Sequence, residues 1–371
     1  MNGLSIITAT HGRSQLVRVL LESLAVERQS VDFSVEVILV DSSPPDEALV
    51  IRAACDKWRA IYQNHPRNNV REKRNLAVAL SQYDAILFVD SDCAAEPGLL
   101  REHYQSLQVG QKVGGVIGVT EFVGPNTQIF RVIEKTSLLD AFSYAKRHAV
   151  VPWGPTCNIS YRKAILTDLG LFDESFPFRL GGDDTDLGLR VTDSGHQIVA
   201  NPRAMVTHTK TTWNGVDLIA SRVFRWGRMH FHLLRKHPKR VYYDFPTLGG
   251  VLLLLCLSAV AAAPFVSWEL LAVPLLWLAV QLLFESLIIA RLLRCPLPEL
   301  PHLLAARLLS LLFETGTLLE AARHGSGLPL VKEISYSPPS LEGRYRRVGQ
   351  IWAMLLSLML VFWLVVLWMR V

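Results

Sequence analysis

The chain has 371 residues, of which 50% are hydrophobic and 19% charged, and its mean hydropathy of +0.26 argues against both a disordered chain and a purely soluble enzyme. A net charge of +5 would admit a nucleic-acid partner, but the cations gather beside an apolar run, which gives them a membrane explanation. The five cysteines form no CxxC pair and are odd in number, so they read as free thiols of a reducing compartment rather than a disulfide framework or metal-thiolate cluster.

Residues 4–10, 35–40 and 85–89 are apolar, β-branched runs bounded by polar turns, and residues 15–24 and 72–80 carry helical periodicity. This alternation predicts an α/β fold, a mostly parallel Rossmann-type sheet with helices on both faces, whose ligands bind beyond the carboxyl ends of the strands. Residues 1–244 are expected to form this domain. No secretory signal is expected, because residues 1–10 lack a basic segment and a cleavage site.

Acids fall where such a fold keeps its site. Asp41 follows one strand, and Asp90 and Asp92 follow another. Two carboxylates two residues apart repel unless a cation lies between them, and a hard divalent ion with oxygen ligands suits the pair. Further on, Gly181-Gly182-Asp183-Asp184-Thr185-Asp186-Leu187 sets three acids behind a glycine turn. Asp186 fits a helix start dressed against its dipole. That leaves Asp184 as a general base whose pKa neighbouring carboxylates raise.

The carboxyl-terminal part, residues 245–371, is expected to be an α-helical transmembrane domain. Residues 247–268 and 350–369 hold no charge and 270–290 hold only Glu285, each long enough for a bilayer core of about 30 Å. Residues 302–323 carry Arg307, Glu314 and Glu320 and are expected to lie as an amphipathic helix on the cytoplasmic interface, giving three spans, with a fourth span here as the alternative. Arg222, Arg225, Arg228, Arg235, Lys236, Lys239 and Arg240 precede the first span without an acid among them. The positive-inside bias therefore keeps the preceding domain cytoplasmic and leaves Arg370 and Val371 outside.

Taken in order, several motifs resemble the inverting family 2 glycosyltransferases of the GT-A fold, over about residues 3–230. Residues 6–13 are similar to that family's opening strand and turn; Ala9 and Gly12 replace its usual proline and asparagine, so Thr10 and Arg13 carry the match. Val40-Asp41-Ser42-Ser43 resembles the nucleotide-base contact, and Lys73-Arg74-Asn75 the Ala-Arg-Asn element, with Lys73 departing from it. Asp90-Ser91-Asp92 resembles the metal motif. Asn158, Ser160 and Arg162, then Leu171-Phe172-Asp173-Glu174, resemble the approach to the catalytic acids, where Asp183 takes the usual glutamate position and Asp184 aligns with the base. His208 stands where some relatives keep a histidine near the metal. Arg222-Val223-Phe224-Arg225-Trp226 resembles the Gln-x-x-Arg-Trp motif of processive synthases, although a basic helix resting on anionic lipid explains it equally well.

The resemblance implies inverting transfer of a sugar from a UDP- or GDP-linked donor to a membrane-associated, lipid-linked acceptor. Thr10, Arg13, Asp41, Arg74, Asp90, Arg225 and Trp226 would hold the donor. Asp90, Asp92 and His208 would hold Mg²⁺ or Mn²⁺, and Asp184 would take the acceptor proton, a step that a polyprenyl phosphate would not need. Residues 121–153 are expected to shape the acceptor pocket. An integral protein of a bacterial plasma membrane follows from this reading. A processive polysaccharide synthase is the nearest alternative. A transporter or sensor with a nucleotide-binding domain is disfavoured, because the GxxxxGK[ST] loop is absent and Glu285 is the lone charge within the expected spans.

Overall fold

Strands buried on both faces dominate the first half of the chain, as expected where helices cover both sides of a sheet. The computed structural model describes residues 2–177, 181–245, 247–338 and 341–369. In chain order it forms β1 (Gly3–Thr10), α1 (Ser14–Gln29), β2 (Ser34–Asp41), α2 (Pro45–Trp58), β3 (Ile61–Asn64), α3 (Val70–Leu80), β4 (Ala85–Phe88) and β5 (Cys93–Ala95). Next come α4 (Leu99–Gln108), β6 (Val113–Val123), α5 (Gln128–Glu134), β7 (Val150–Val151), β8 (Ile159–Arg162), α6 (Lys163–Asp168), α7 (Asp183–Asp193) and β9 (Gln197–Thr209). The chain continues through α8 (Val216–Lys236), β10 (Val241–Tyr243), α9 (Leu248–Ala262), α10 (Val273–Leu292), α11 (Leu300–Arg323), β11 (Lys332–Ile334) and α12 (Leu341–Trp368).

The chain divides into two compact units. The first comprises Met1–Thr127, Leu138–Gly215 and Tyr336–Pro338; the second contains Gln128–Ser137, Val216–Ser335 and the carboxyl-terminal helix. The boundary thus falls at Gly215, ahead of the expected residue 244, because α8 packs along α11. Part of the 121–153 segment, Gln128–Ser137, also belongs to the second unit.

In the first unit the sheet runs β3-β2-β1-β4-β8-β6-β9-β5, with β7 added beside β9. The β3-β2-β1-β4 half is wholly parallel, and β6 and β9 pair in parallel. β8 is antiparallel to β4 and β6, and β5 and β7 are antiparallel to β9. Leu4, Ile6, Val37, Leu39 and Leu87 face α1, α2 and α4, whereas Ile7, Ile38, Val40, Ile86 and Phe88 face α3 and α7. This two-sided burial is why the strands read as unbroken apolar runs. Across the sheet, buried His103 bonds Ser160 Oγ and Asn158 Oδ1, each at 2.8 Å. Asn158 Nδ2 in turn donates to the carbonyls of Val119 and Ala204. Asn158 and Ser160 therefore serve as sheet ties. Burial holds the His103 imidazole neutral, its pKa down at about 4.

In the second unit, three helical stretches are long and apolar enough to cross a membrane among the described residues: Trp268–Leu292, Leu297–Arg323 and Gly343–Trp368. The first and third correspond to the expected 270–290 and 350–369 spans. The expected 247–268 span does not form as one helix. α9 stops at Ala262, just ahead of Pro264, which has no amide hydrogen to continue the ladder. Its 15 residues reach about 22 Å, short of a bilayer core. Conversely, α11 qualifies by length and composition although it was expected to be interfacial. Its charges have partners: Arg307 reaches Glu285 at 2.8 Å and Glu314 at 3.3 Å, and Glu320 accepts from Arg228 at 2.7 Å. Gln281 extends the cluster from Glu285 to Ser357 on α12. The expected order of crossings therefore does not follow from the helix lengths, and Arg370 and Val371 lie outside the described residues.

α8 and α11 cross on two glycines. A Cβ added at Gly227 would stand 1.9 Å from the Phe313 carbonyl oxygen, and one at Gly316 would stand 2.3 Å from that of Phe224. Backbone cannot yield as a flexible side chain can. Gly227→Ala should therefore cost about 2 kcal/mol or more, checked as a lower midpoint of thermal unfolding in detergent. An unchanged midpoint would mean that the two helices do not cross this closely.

Candidate active site

The carboxyl ends of β1, β2 and β4 supply one edge of the site. Thr10 closes β1 and Asp41 closes β2, paired in register. The Asp41 carboxylate accepts the Ser43 amide at 2.8 Å, the Ser43 hydroxyl, and Tyr62 OH at 3.1 Å. Gly12 N donates to Ser43 Oγ at 2.6 Å, and the His11 ring bonds the Ser42 carbonyl at 2.9 Å. The turns after β1 and β2 are thus stitched together.

α3 lies over this edge. Asn69 caps its start, accepting from the Arg71 amide at 3.1 Å, and the helix turns Arg71, Lys73 and Arg74 inward, all buried. Arg74 was expected to hold the nucleotide. Instead its guanidinium donates to Asp183 at 2.6 Å and to Asp90 at 3.1 Å, joining the two acidic motifs. Arg71 stands 3.9 Å from Asp183 and donates to the Gly181 carbonyl at 3.0 Å. Asn75 binds Phe172 through both its amide and carbonyl oxygen and reaches Glu174 at 2.8 Å, which fixes the loop ahead of the acids.

Asp184 sits half-buried in the first turn of α7 and accepts the Thr185 amide at 2.8 Å. Burial, then the charge of Asp183, raises its pKa to about 7 against the pull of Arg74. Such a carboxylate exchanges protons near neutrality. Asp186 lies in the acid-bearing first turn of the helix as expected, with Gly182, in a left-handed conformation (φ 75°), at the cap without a side-chain bond. Asp186 is fully buried and pairs with Arg190 at 2.9 Å, which in turn holds the Leu169 and Leu171 carbonyls.

His208 does come to the metal motif. It is opposite Cys93 in the β5–β9 ladder, and its Nε2 lies 3.4 Å from Asp92. Its ring is walled by Phe122, Phe142 and Trp213. Ligand atoms of Asp92, Cys93 and His208 all lie within 4.8 Å of one another. A hard divalent ion prefers the carboxylate and the imidazole over the soft Cys93 sulfur, and the Asp92 and His208 donors fit Mn²⁺. Asp90 was expected in the same set but accepts from Arg74. Arg13, in the left-handed region at φ 64°, donates to Asp92 at 2.7 Å.

Arg225 and Trp226 are on α8 and belong to the second unit, so they are not among the groups that the first unit gathers. The residues that sequence reasoning missed are Arg71 and Lys73. Three basic residues within the four positions 71–74 of one helix start were the available signal.

Residues 5–170 match the model of the family described as Glycosyl transferase family 2. The pre-mycofactocin glycosyltransferase of Mycobacterium tuberculosis is 25% identical over 210 residues, covering 55% of this chain and 43% of that protein. The O-antigen biosynthesis protein RfbC of Myxococcus xanthus is 24% identical over 233 residues, covering 58% of this chain and 18% of that protein. The chain accordingly spans less than half the length of the curated relatives it matches. Among solved structures, the mannosyltransferase PcManGT from Pyrobaculum calidifontis, in complex with GDP-Man and Mn²⁺, aligns with a TM-score of 0.51. The alignment covers 82% of this chain and 86% of that one at 16% identity, which shows a common fold. The match to the Glycosyl transferase family 2 model thus runs through the parallel half of the sheet and on past Asp90 and Asp92, on a fold shared with that mannosyltransferase.

Proposed function

We propose that this domain performs an inverting, divalent-metal-dependent transfer of a sugar from a UDP- or GDP-linked donor to a lipid-linked acceptor at a membrane. The observation that carries the reading is the Arg74 bridge, 2.6 Å to Asp183 and 3.1 Å to Asp90, which ties the metal motif to the turn bearing Asp184. The GDP-Man and Mn²⁺ of the structurally similar mannosyltransferase support the donor and metal classes. The relative named for O-antigen biosynthesis and the three long apolar helices support an acceptor held at a membrane.

In this reading the donor nucleoside enters between Thr10 and Asp41, at the carboxyl ends of two neighbouring strands. Asp92 and His208, with Asp90, would hold Mg²⁺ or Mn²⁺, which when bound offsets charge on the leaving diphosphate. Arg13, with a side chain 41% exposed, serves the same diphosphate as a hydrogen-bonding cation. Asp184 accepts the proton of an acceptor hydroxyl while that oxygen attacks the anomeric carbon opposite the diphosphate, so the new C–O bond forms with inversion. Charge on Asp183 is absorbed by Arg74, which leaves Asp184 with a proton affinity suited to this task.

Three outcomes test the reading. Turnover should rise with pH through about 7 and level off above it, because the working form is the carboxylate. Asp184→Asn should lower kcat about 10² to 10⁴-fold and abolish that limb while UDP or GDP still binds. A near-normal kcat would remove Asp184 as base. Second, EDTA should weaken nucleotide binding by wild-type protein, and Asp92→Ala and His208→Ala should each remove the metal-dependent part, measured by calorimetry. Binding in both variants that still responds to Mn²⁺ as wild type does would relocate the ion. Third, Asp186→Asn should lower the thermal midpoint with kcat nearly unchanged, since Asp186 braces Arg190; a kcat loss equal to that of Asp184→Asn would make both acids part of the chemistry.

A further inference from the structure

Lys73 occupies the position where the sequence departs from the Ala-Arg-Asn pattern, and its surroundings explain why a lysine is kept there. Its side chain is buried, with the residue 2% exposed. The ammonium has three donors, and each meets a protein acceptor: the Thr10 carbonyl at 2.6 Å, Ser42 Oγ at 2.9 Å and Asn68 Oδ1 at 3.3 Å. These acceptors come from three separate segments, the end of β1, the turn after β2 and the approach to α3. Resting on the donor-site reading above, we propose that Lys73 is a positioning residue for the donor nucleotide, fastening the Thr10 and Ser42 edges so that the nucleoside meets a pre-formed slot.

Three features support this role. First, the two edges that Lys73 joins are those that flank Asp41, and they carry further bonds of their own, from Gly12 N to Ser43 Oγ and from the His11 ring to the Ser42 carbonyl. Without the ammonium the Thr10 carbonyl would be left buried and short of a strong donor, which costs more than the bond itself was worth. Second, no carboxylate among the described residues bonds Lys73, and a buried cation held by neutral acceptors is costly, so its three bonds must hold it firmly in place. Third, burial lowers its pKa to about 8, with Asp41 raising it and Arg74 lowering it. The other titratable groups facing this edge are His11, whose ring bonds Ser42, and Tyr62, bonded to Asp41. Burial raises Tyr62 above its usual range, which leaves Lys73 as the group to lose a proton just above neutrality. A neutral amine keeps two donors for three acceptors. One strand edge is then released as pH rises.

The test uses the full chain in detergent with UDP and GDP as probes, Mn²⁺ present throughout. Wild-type affinity for the nucleotide it binds should weaken as pH rises through about 8. Lys73→Met, matched in length and apolar, should weaken binding at neutral pH on the order of tenfold, raise the donor KM with kcat little changed, and show no such alkaline loss. Lys73→Arg, charged at all these pH values, should keep more affinity than the methionine variant and also lack the alkaline loss. Circular dichroism and the thermal midpoint of each variant separate these effects from misfolding: a folded Lys73→Met protein with wild-type affinity and a wild-type alkaline limb overturns the inference. Wild-type protein that binds neither UDP nor GDP overturns the donor-site reading itself, and this inference with it.

Discussion

Carboxylates crowded at one sheet edge repel, and the site depends on cations built in among them. Asp90, Asp92, Asp183 and Asp184 all stand at that edge. Two unit charges 4 Å apart interact by about 4 kcal/mol at an effective dielectric of 20, so four acids without compensation would not stay ionised together. Arg74 answers for Asp90 and Asp183, Arg13 for Asp92. Asp184 has the Thr185 amide but no ion pair among the described residues, and burial raises its proton affinity as it raises that of Asp90. The same distribution of cations therefore holds the loops, and burial acts on the acids alongside it.

In the second unit, apolar helices carry a few acids and arginines that would be costly in a bilayer alone. Glu285, Arg307 and Glu314 join α10 and α11, while Gln281 and Ser357 carry the polar chain on to α12. Because each charge is met by an opposite one, composition alone misjudges α11. A residue-by-residue count sees four charges in an apolar helix; the folded unit contains ion pairs. In the opposite direction, the uncharged stretch around Pro264 looks long enough to cross, yet proline divides it.

The parallel half of the sheet was legible because its strands are buried on both faces, which writes long β-branched runs into the sequence, and because acids follow directly on the strands that bear them. Asp41, the Asp90 and Asp92 pair and Asp184 could be singled out on that ground. Contacts between distant segments could not. Nothing local to Arg74 reveals that its partners are 16 and 109 residues away, so its bridge between the acids was not legible in the sequence. Asp186 stands in the acidic first turn that its position suggested, but nothing in the sequence showed that its carboxylate would be buried against Arg190, one helical turn on. Arg225 and Trp226 matched a motif, whereas packing of their helix on α11 assigns them to the other compact unit.

His208 reaches the metal motif near the end of a 13-residue strand that also pairs with β5, β6 and β7. Side chains on a strand alternate faces, so slipping β9 by one residue would present Thr207 or Thr209 to Asp92 and turn the imidazole to the opposite side. Two irregularities in the β6–β9 ladder, between Val113 and Gly115 and between Ile117 and Val119, already absorb the unequal spacing of the two strands. For descendants of this sequence, the arithmetic is one of parity. Between those bulges and His208, β9 can gain or lose residues in twos and keep its imidazole facing the acids, whereas a single insertion there would turn the imidazole away without changing any residue of the site.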